Sequence, residues 1–102
     1  MKFLIVTCIK EYQEMVYKIF SQSGIRAYST TDIVGFKDQQ NSNMLEDWFA
    51  SGDEQFDSCM LFSFTTETNA NKAMELVLQY NQNNHTKFPL RAFIVAVEKS
   101  SF

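Results

Sequence analysis

The spacing of hydrophobic positions changes period several times along the chain, and each change predicts a new element. Residues 3–9 form a continuous apolar run, which is typical of a strand that is buried on both faces. Residues 10–23 switch to helical spacing, which predicts a helix with one buried face. That face consists of Tyr12, Met15, Val16, Ile19 and Phe20. Gly24 follows at the position where a helix end often needs left-handed backbone.

The same order of patterns returns in the second half of the chain. β-Branched residues predict a strand over residues 25–36, and strict alternation predicts another over residues 59–65. Residues 66–69 supply helix N-cap candidates, and residues 81–86 break the helix that follows. A last apolar run predicts a strand over residues 90–97. The predicted buried face of this second helix is Ala70, Ala73, Met74, Val77 and Leu78.

The predicted order is therefore β–α–β–β–α–β in a single domain over residues 1–102. With right-handed crossovers this order gives an α+β ferredoxin-like sandwich, in which two helices cover one face of an antiparallel sheet. The opposite face is too apolar to remain in water, because six strand residues cannot all point at the helices. Those six are Leu4, Val6, Phe62, Phe64, Phe93 and Val95. A large exposed apolar face predicts a homo-oligomer.

Composition narrows the class of protein further. With 45% apolar and 15% aromatic residues, the chain can build a core without disulfides or metal. Its net charge of −3 and pI of about 5.0 argue against a nucleic-acid partner. No segment is long and apolar enough to insert in a membrane, and the first residues lack a signal-peptide pattern. We therefore expect a reduced, cytoplasmic protein.

The longest interruption of the pattern is a loop over residues 37–57, which contains six acidic residues and a single lysine. A loop of this length in a small domain often binds a partner, although a simply solvated loop is the alternative. Within it, Met44, Leu45, Trp48 and Phe49 would lie on one side of a short helix. We predict that these four residues anchor a protein partner. The alternative is that they fold back onto the domain or onto a neighbouring subunit.

The predicted topology places Cys8 at the end of the first strand beside Cys59 at the start of the third. A thiolate pair there would suit Cu(I) or Zn²⁺. The alternative is core packing, because free cysteine is among the most buried residue types. His85 is predicted to be a surface residue. No nucleophile–His or acid/base pair stands at motif spacing, so we expect a protein that is not an enzyme.

Several short motifs follow one another along the chain: Gly24-Ile25, Thr30-Thr31, Val34-Gly35-Phe36, Gln39, and the strand over residues 91–98, which begins with Arg and ends in Val-Glu. Together they resemble the nitrogen-regulatory P-II (PII) signalling proteins. The resemblance covers nearly the whole chain. It implies a homotrimer with three clefts between subunits, and it makes residues 37–57 the family's T-loop. In the family this loop plugs into enzymes or membrane transporters, so a transporter is an expected partner.

The resemblance also implies a ligand site. Gly35, Phe36, Lys37 and Gln39 would form the base of the loop beside an adenine nucleotide, and Arg91 would face its phosphates. No cofactor is required, and an adenine nucleotide or a divalent metal is the expected ligand. A second interpretation is a metal-responsive or metal-tolerance protein that resembles the CutA and metal-efflux-associated PII-like branch. That protein would use the loop carboxylates and the two cysteines as ligands.

The chain departs from the family pattern at its phosphate-binding positions. Asp38 replaces a basic residue, Ser58 replaces a lysine, and residues 83–89 replace a glycine-rich turn whose amides approach phosphates. The loop also lacks the tyrosine that accepts a nucleotidyl group in the family. We therefore expect ATP to bind weakly or not at all, whereas a smaller adenine nucleotide still fits.

Overall fold

The computed structural model describes residues 1–34 and 57–101. Within these residues the element order confirms the predicted β–α–β–β–α–β sandwich. The elements are β1 (Lys2–Ile9), a 3₁₀ turn (Lys10–Tyr12), α1 (Gln13–Gln22), β2 (Ser29–Val34), β3 (Asp57–Thr65), α2 (Glu67–Asn83) and β4 (Arg91–Ala96). No helix in this part of the chain is long and apolar enough to cross a membrane.

The four strands form one antiparallel sheet in the order β2-β3-β1-β4. Because β1 is paired on both sides, its backbone is protected from solvent, which agrees with its continuous apolar sequence. The register sets Leu4 between Ser63 of β3 and Ile94 of β4. Successive side chains point to opposite faces, so this register decides which residues meet the helices.

The face toward the helices carries the core. Leu4, Val6 and Leu61 are fully buried there and pack with α1 and α2. The prediction that six apolar residues cannot all face the helices is confirmed, because only Leu4 and Val6 of the six do so. The opposite face, which we call the outer face, is aromatic. Its apolar patch is formed by Phe3, Ile5, Phe62, Phe64, Phe93 and Val95, and Phe3 stacks on Phe64 with ring centres 4.7 Å apart.

Helix α1 ends as the sequence predicts. Gly24 has a φ of +81°, and its N–H donates to the carbonyl of Ser21 at 3.2 Å. The N–H of Ile25 then donates to the carbonyl of Phe20 at 2.9 Å, which completes a Schellman motif. This bond explains why the strand predicted from residue 25 begins only at Ser29. The predicted apolar face of α1 is confirmed, with Val16, Ile19 and Phe20 buried and Tyr12 and Met15 packed beside them.

Helix α2 begins after Thr66, whose hydroxyl accepts from the N–H of Asn69 at 3.2 Å. Ala70, Ala73 and Val77 are buried as predicted. The prediction for Leu78 is wrong, because its side chain is 56% exposed. The stripe continues instead through Leu76 and Tyr80, which are partly buried against the core. Leu78 follows Val77 by one residue, which rotates its side chain about 100° around the helix.

Candidate functional site

A cavity of about 520 Å³ lies at the end of the sheet where β1 runs into the 3₁₀ turn. Its volume is in the range of roughly 300–1,000 Å³ that is common for small-molecule sites. Three segments supply its walls: the end of β1 with the turn, the start of β3, and the segment before β4. The lining residues are Ile9, Lys10, Glu11, Tyr12, Asp57, Thr86, Lys87 and Phe88.

The wall formed by residues 86–88 is held in place from two sides. The hydroxyls of Tyr12 and Thr86 share a hydrogen bond of 2.8 Å, which fastens this wall to the turn after β1. The hydroxyl of Thr86 also accepts from the N–H of Phe88 at 3.1 Å. Further along, the side-chain amide of Asn81 bonds both backbone groups of Leu90. The cavity therefore has ordered walls, although this segment lacks regular secondary structure.

The charges at the cavity are balanced. Lys10 and Lys87 supply two positive charges, and Glu11 and Asp57 supply two negative ones. The ammonium of Lys10 lies 2.9 Å from the carboxylate of Asp32, and this hydrogen-bonded pair raises the pKa of Lys10. This pairing with a carboxylate reduces the charge that Lys10 offers to an anionic ligand. Such a site offers less to a triphosphate than to a ligand with one or two negative charges.

The base of the predicted loop lies at this cavity. Val34 and Asp57 are opposite each other in the β2–β3 register, so the chain leaves and re-enters the sheet at one place. Asp57 also lines the cavity. The predicted nucleotide-side residues Gly35, Phe36, Lys37 and Gln39 lie outside the described residues. The predicted partner anchors Met44, Leu45, Trp48 and Phe49 also lie outside them.

Arg91 is described, and it opens β4 opposite Thr7. Its side chain is half-buried and is not among those that line the cavity. Its assignment to a phosphate therefore stays a prediction. His85 is exposed, as expected. Ser58, which replaces a basic residue of the PII pattern, is buried. Its hydroxyl has no hydrogen-bond partner within residues 1–34 and 57–101.

The predicted neighbourhood of the two cysteines is present in the structure. Cys8 and Cys59 are opposite each other in the β1–β3 register, and their sulfurs are 3.5 Å apart. Both side chains are buried, and burial raises the pKa of both thiols. Neutral thiols are poor metal ligands. In the described part of the chain, no group of three or more His, Cys, Asp or Glu side chains could hold a metal ion. The metal role of this pair stays a prediction.

The sequence placed Tyr12 only in the core and gave no site role to Lys10 or Glu11. Thr86, Lys87 and Phe88 entered only as part of residues 83–89, which replace the glycine-rich turn of the PII pattern. The feature that could have identified these cavity residues is their position at the ends of paired strands. In an antiparallel pair, the end of one strand lies beside the start of its partner, so residues after β1 and residues before β4 meet at one edge. Polar residues at both places were the available clue.

No protein-family profile and no curated protein sequence matches the chain. The fold, however, resembles solved structures. CPII, a nitrogen regulatory PII-like protein from Thiomonas intermedia K12, was solved bound to ADP, AMP and bicarbonate. It shares 11% identity at a TM-score of 0.61, over 97% of this chain and 93% of that chain.

A second similar structure is a PII-like signalling protein from Thermus thermophilus. It shares 14% identity at a TM-score of 0.54, over 91% of this chain and 82% of that chain. The chain therefore has the fold of the PII-like signalling proteins, and the fold implied by the sequence resemblance is confirmed.

Proposed function

We propose that the chain is a non-enzymatic, PII-like regulatory protein that binds a small adenine nucleotide in the cavity at the end of β1. One observation carries this proposal. In a chain with the PII-like fold, the cavity lies where the sheet ends at the Val34–Asp57 pair, and Asp57 belongs both to this pair and to the cavity wall. A ligand that contacts Asp57 and its neighbours can therefore favour one arrangement of the loop over another.

The chemistry of the walls favours AMP over ATP. Phe88 and Tyr12 offer aromatic surface, and Lys87 offers a positive charge. Two carboxylates at the same cavity repel additional phosphates. CPII, with the same fold, was solved with ADP and AMP, which supports an adenine nucleotide as the ligand.

The aromatic outer face supports a homo-oligomer, for which we propose a trimer. Phe64 is 54% exposed and Val95 is 48% exposed, and both adjoin Phe3 in the strand register. A contiguous apolar face of this kind is typical of a subunit interface. The loop residues 35–56 would then present a ligand-dependent surface to a protein partner, for which we propose a membrane transporter.

The metal-responsive alternative is less well supported. Its predicted ligands are the two buried cysteines, whose thiols are protonated, and loop carboxylates that lie mostly outside the described residues. The structure adds no third metal ligand to the cysteines within residues 1–34 and 57–101. We therefore retain the nucleotide site as the proposed function.

Isothermal calorimetry of the purified protein against AMP, ADP, ATP and Zn²⁺ tests this proposal. AMP should bind, and ATP should bind about tenfold more weakly or worse, since one lost charge-assisted contact costs about 1.5–3 kcal/mol. Lys87→Ala should weaken AMP binding by a similar factor. Lys72→Ala, which changes an exposed lysine on α2, is the matched control and should bind AMP normally. Binding of Zn²⁺ without any binding of AMP would favour the metal alternative.

A further inference from the structure

The two cysteines have a geometry that core packing alone does not require. Cys8 and Cys59 occupy opposite positions on neighbouring antiparallel strands. Opposed Cα atoms in such a pair are about 4.5–5.5 Å apart, which falls within the range that a disulfide spans. The sulfurs are in contact at 3.5 Å, with either thiol able to donate to the other. A bond would bring them roughly 1.5 Å closer, which side-chain rotation can supply without unfolding either strand.

We propose that Cys8 and Cys59 form a reversible intramolecular disulfide that reports oxidation to the cavity and to the base of the loop. The effect on the cavity follows from position along the chain. Ile9 and Lys10 directly follow Cys8, and Asp57 lies two residues before Cys59. These three neighbours of the cysteines line the cavity. A cross-link between the cysteines fixes the end of β1 to the start of β3, so it constrains two walls of the cavity together.

Hydrogen peroxide is an oxidant small enough to reach this pair. Cys8 is 6% exposed and Cys59 is fully buried, so the sulfur of Cys8 attacks one peroxide oxygen as its thiol loses a proton. The O–O bond breaks, a sulfenic acid forms on Cys8, and the leaving hydroxide takes up the thiol proton as water. The sulfur of Cys59 then attacks the sulfenic sulfur, the S–O bond breaks, and the leaving oxygen takes up the proton of Cys59 as a second water. In total, two thiols lose two electrons to one peroxide molecule.

The neighbouring thiol determines the outcome of this chemistry. Because both thiols are protonated at neutral pH, the first step is slow and the pair stays reduced under ordinary conditions. Once a sulfenic acid forms, the second sulfur is already in contact with it, so condensation outruns further oxidation. An added dithiol returns the pair to two thiols by exchange.

Non-reducing peptide mapping of the folded, full-length protein tests the chemistry directly. The protein is treated with limiting hydrogen peroxide, free thiols are blocked, and the digest is compared before and after dithiothreitol. We expect one linked peptide pair that contains Cys8 and Cys59 and disappears on reduction. Cys8→Ala and Cys59→Ala should each give no intramolecular link and more sulfinic acid on the remaining cysteine. Sulfinic acid in the wild-type protein without a linked pair would overturn the proposal, as would a link that forms only in denaturant.

Amide hydrogen exchange tests the effect on the site. Oxidation should slow exchange over residues 9–12 and 57–59, which flank the two cysteines, while exchange over residues 67–73 at the far end of α2 stays unchanged. Equal exchange rates in the oxidised and reduced forms would overturn the proposed effect of the disulfide on the cavity. Oxidation should also change the affinity for AMP several-fold, and this expectation rests on the proposed function. Neither the linked peptide nor the exchange pattern needs AMP, so a failure of nucleotide binding is distinguishable from a failure of this inference.

Discussion

The side-chain amide of Asn81 takes the place of a strand partner for Leu90. Its Nδ2 donates to the carbonyl of Leu90, and its Oδ1 accepts from the N–H of Leu90, both at 2.9 Å. Leu90 is buried and directly precedes β4, so these two bonds satisfy backbone groups that would otherwise be unpaired. They also close the segment of residues 82–89, which contains one wall of the cavity.

Replacement of Asn81 by Asp should destabilise the protein by about 1–3 kcal/mol, because a carboxylate cannot donate to the carbonyl of Leu90. Urea denaturation measures this change in the free energy of unfolding. Asn83→Asp is the control, since it places the same charge near the end of α2 on an exposed residue. Equal losses in the two variants would show that charge at the helix end, and not the bonds to Leu90, is responsible.

Replacement of Gly24 by Ala should cost roughly 1–2 kcal/mol, because a residue with a Cβ is strained at a φ of +81°. The added Cβ would also lie 3.3 Å from Oδ1 of Asn69, whose amide donates to the carbonyl of Gly24. Thermal or urea unfolding gives the difference. Gln22→Ala, an exposed change two residues earlier at the same helix end, should leave stability nearly unchanged. A neutral Gly24→Ala variant would be inconsistent with the Schellman motif described above.

Stability should fall in alkaline solution because of the cysteine pair. Burial raises the pKa of both thiols above the ordinary value of 9.0, so the folded state holds protons that the unfolded state has released. The contribution of the two thiols to the free energy of unfolding is therefore fully present below pH 9 and is lost as pH rises above it. The slope is at most about 1.4 kcal/mol per pH unit for each thiol.

Urea unfolding between pH 7 and pH 10.5 under reducing conditions measures this slope. Burial also raises the pKa of Tyr80, and the ion pair with Asp32 raises that of Lys10, so some alkaline loss should remain without the thiols. The double variant Cys8→Ala, Cys59→Ala separates the contributions, and its stability should depend less steeply on pH. An identical slope in wild type and variant would contradict this assignment.

The outer face should mediate self-association. Phe64→Glu places a charge on a half-exposed side chain that stacks on Phe3, and a charge there should disfavour burial against a second subunit. Light scattering should give an oligomer for the wild type and a smaller species for this variant. Leu78→Glu is the control, because Leu78 is about equally exposed but lies on α2. A wild-type protein that is monomeric at micromolar concentration would refute the interface.

The fold was predictable because its elements obey simple periods. β1 is a continuous apolar run, and α1 has a stripe of apolar residues at helical spacing. Gly24 marks the end of α1 because its positive φ favours glycine. The start of β2 was not predictable, because Ile25 fits a strand by residue type, whereas its N–H bonds the carbonyl of Phe20 and holds it at the helix end. The predicted buried face of α2 was wrong at Leu78, because alanines define a narrow stripe and a leucine at its edge can point toward the core or toward solvent.

The candidate site was only partly predictable. The cysteine pair followed from topology, because antiparallel register fixes which residues are opposite. The cavity did not, because Tyr12 and Thr86 are 74 residues apart and meet through a side-chain hydrogen bond that no spacing rule encodes. The same holds for the bonds between Asn81 and Leu90, which help to hold residues 86–88 in place.

The most direct test of the proposed site is amide hydrogen exchange of the reduced protein with and without saturating AMP. AMP should slow exchange over residues 9–12 and 86–88, the two walls that share the bond between Tyr12 and Thr86. Residues 64–67, which line a separate hollow at the other end of β3, serve as the internal control and should not change. Protection at the walls alone is the predicted result. Binding of AMP with no protection there, or with protection only at residues 64–67, would contradict the assignment of this cavity as the ligand site.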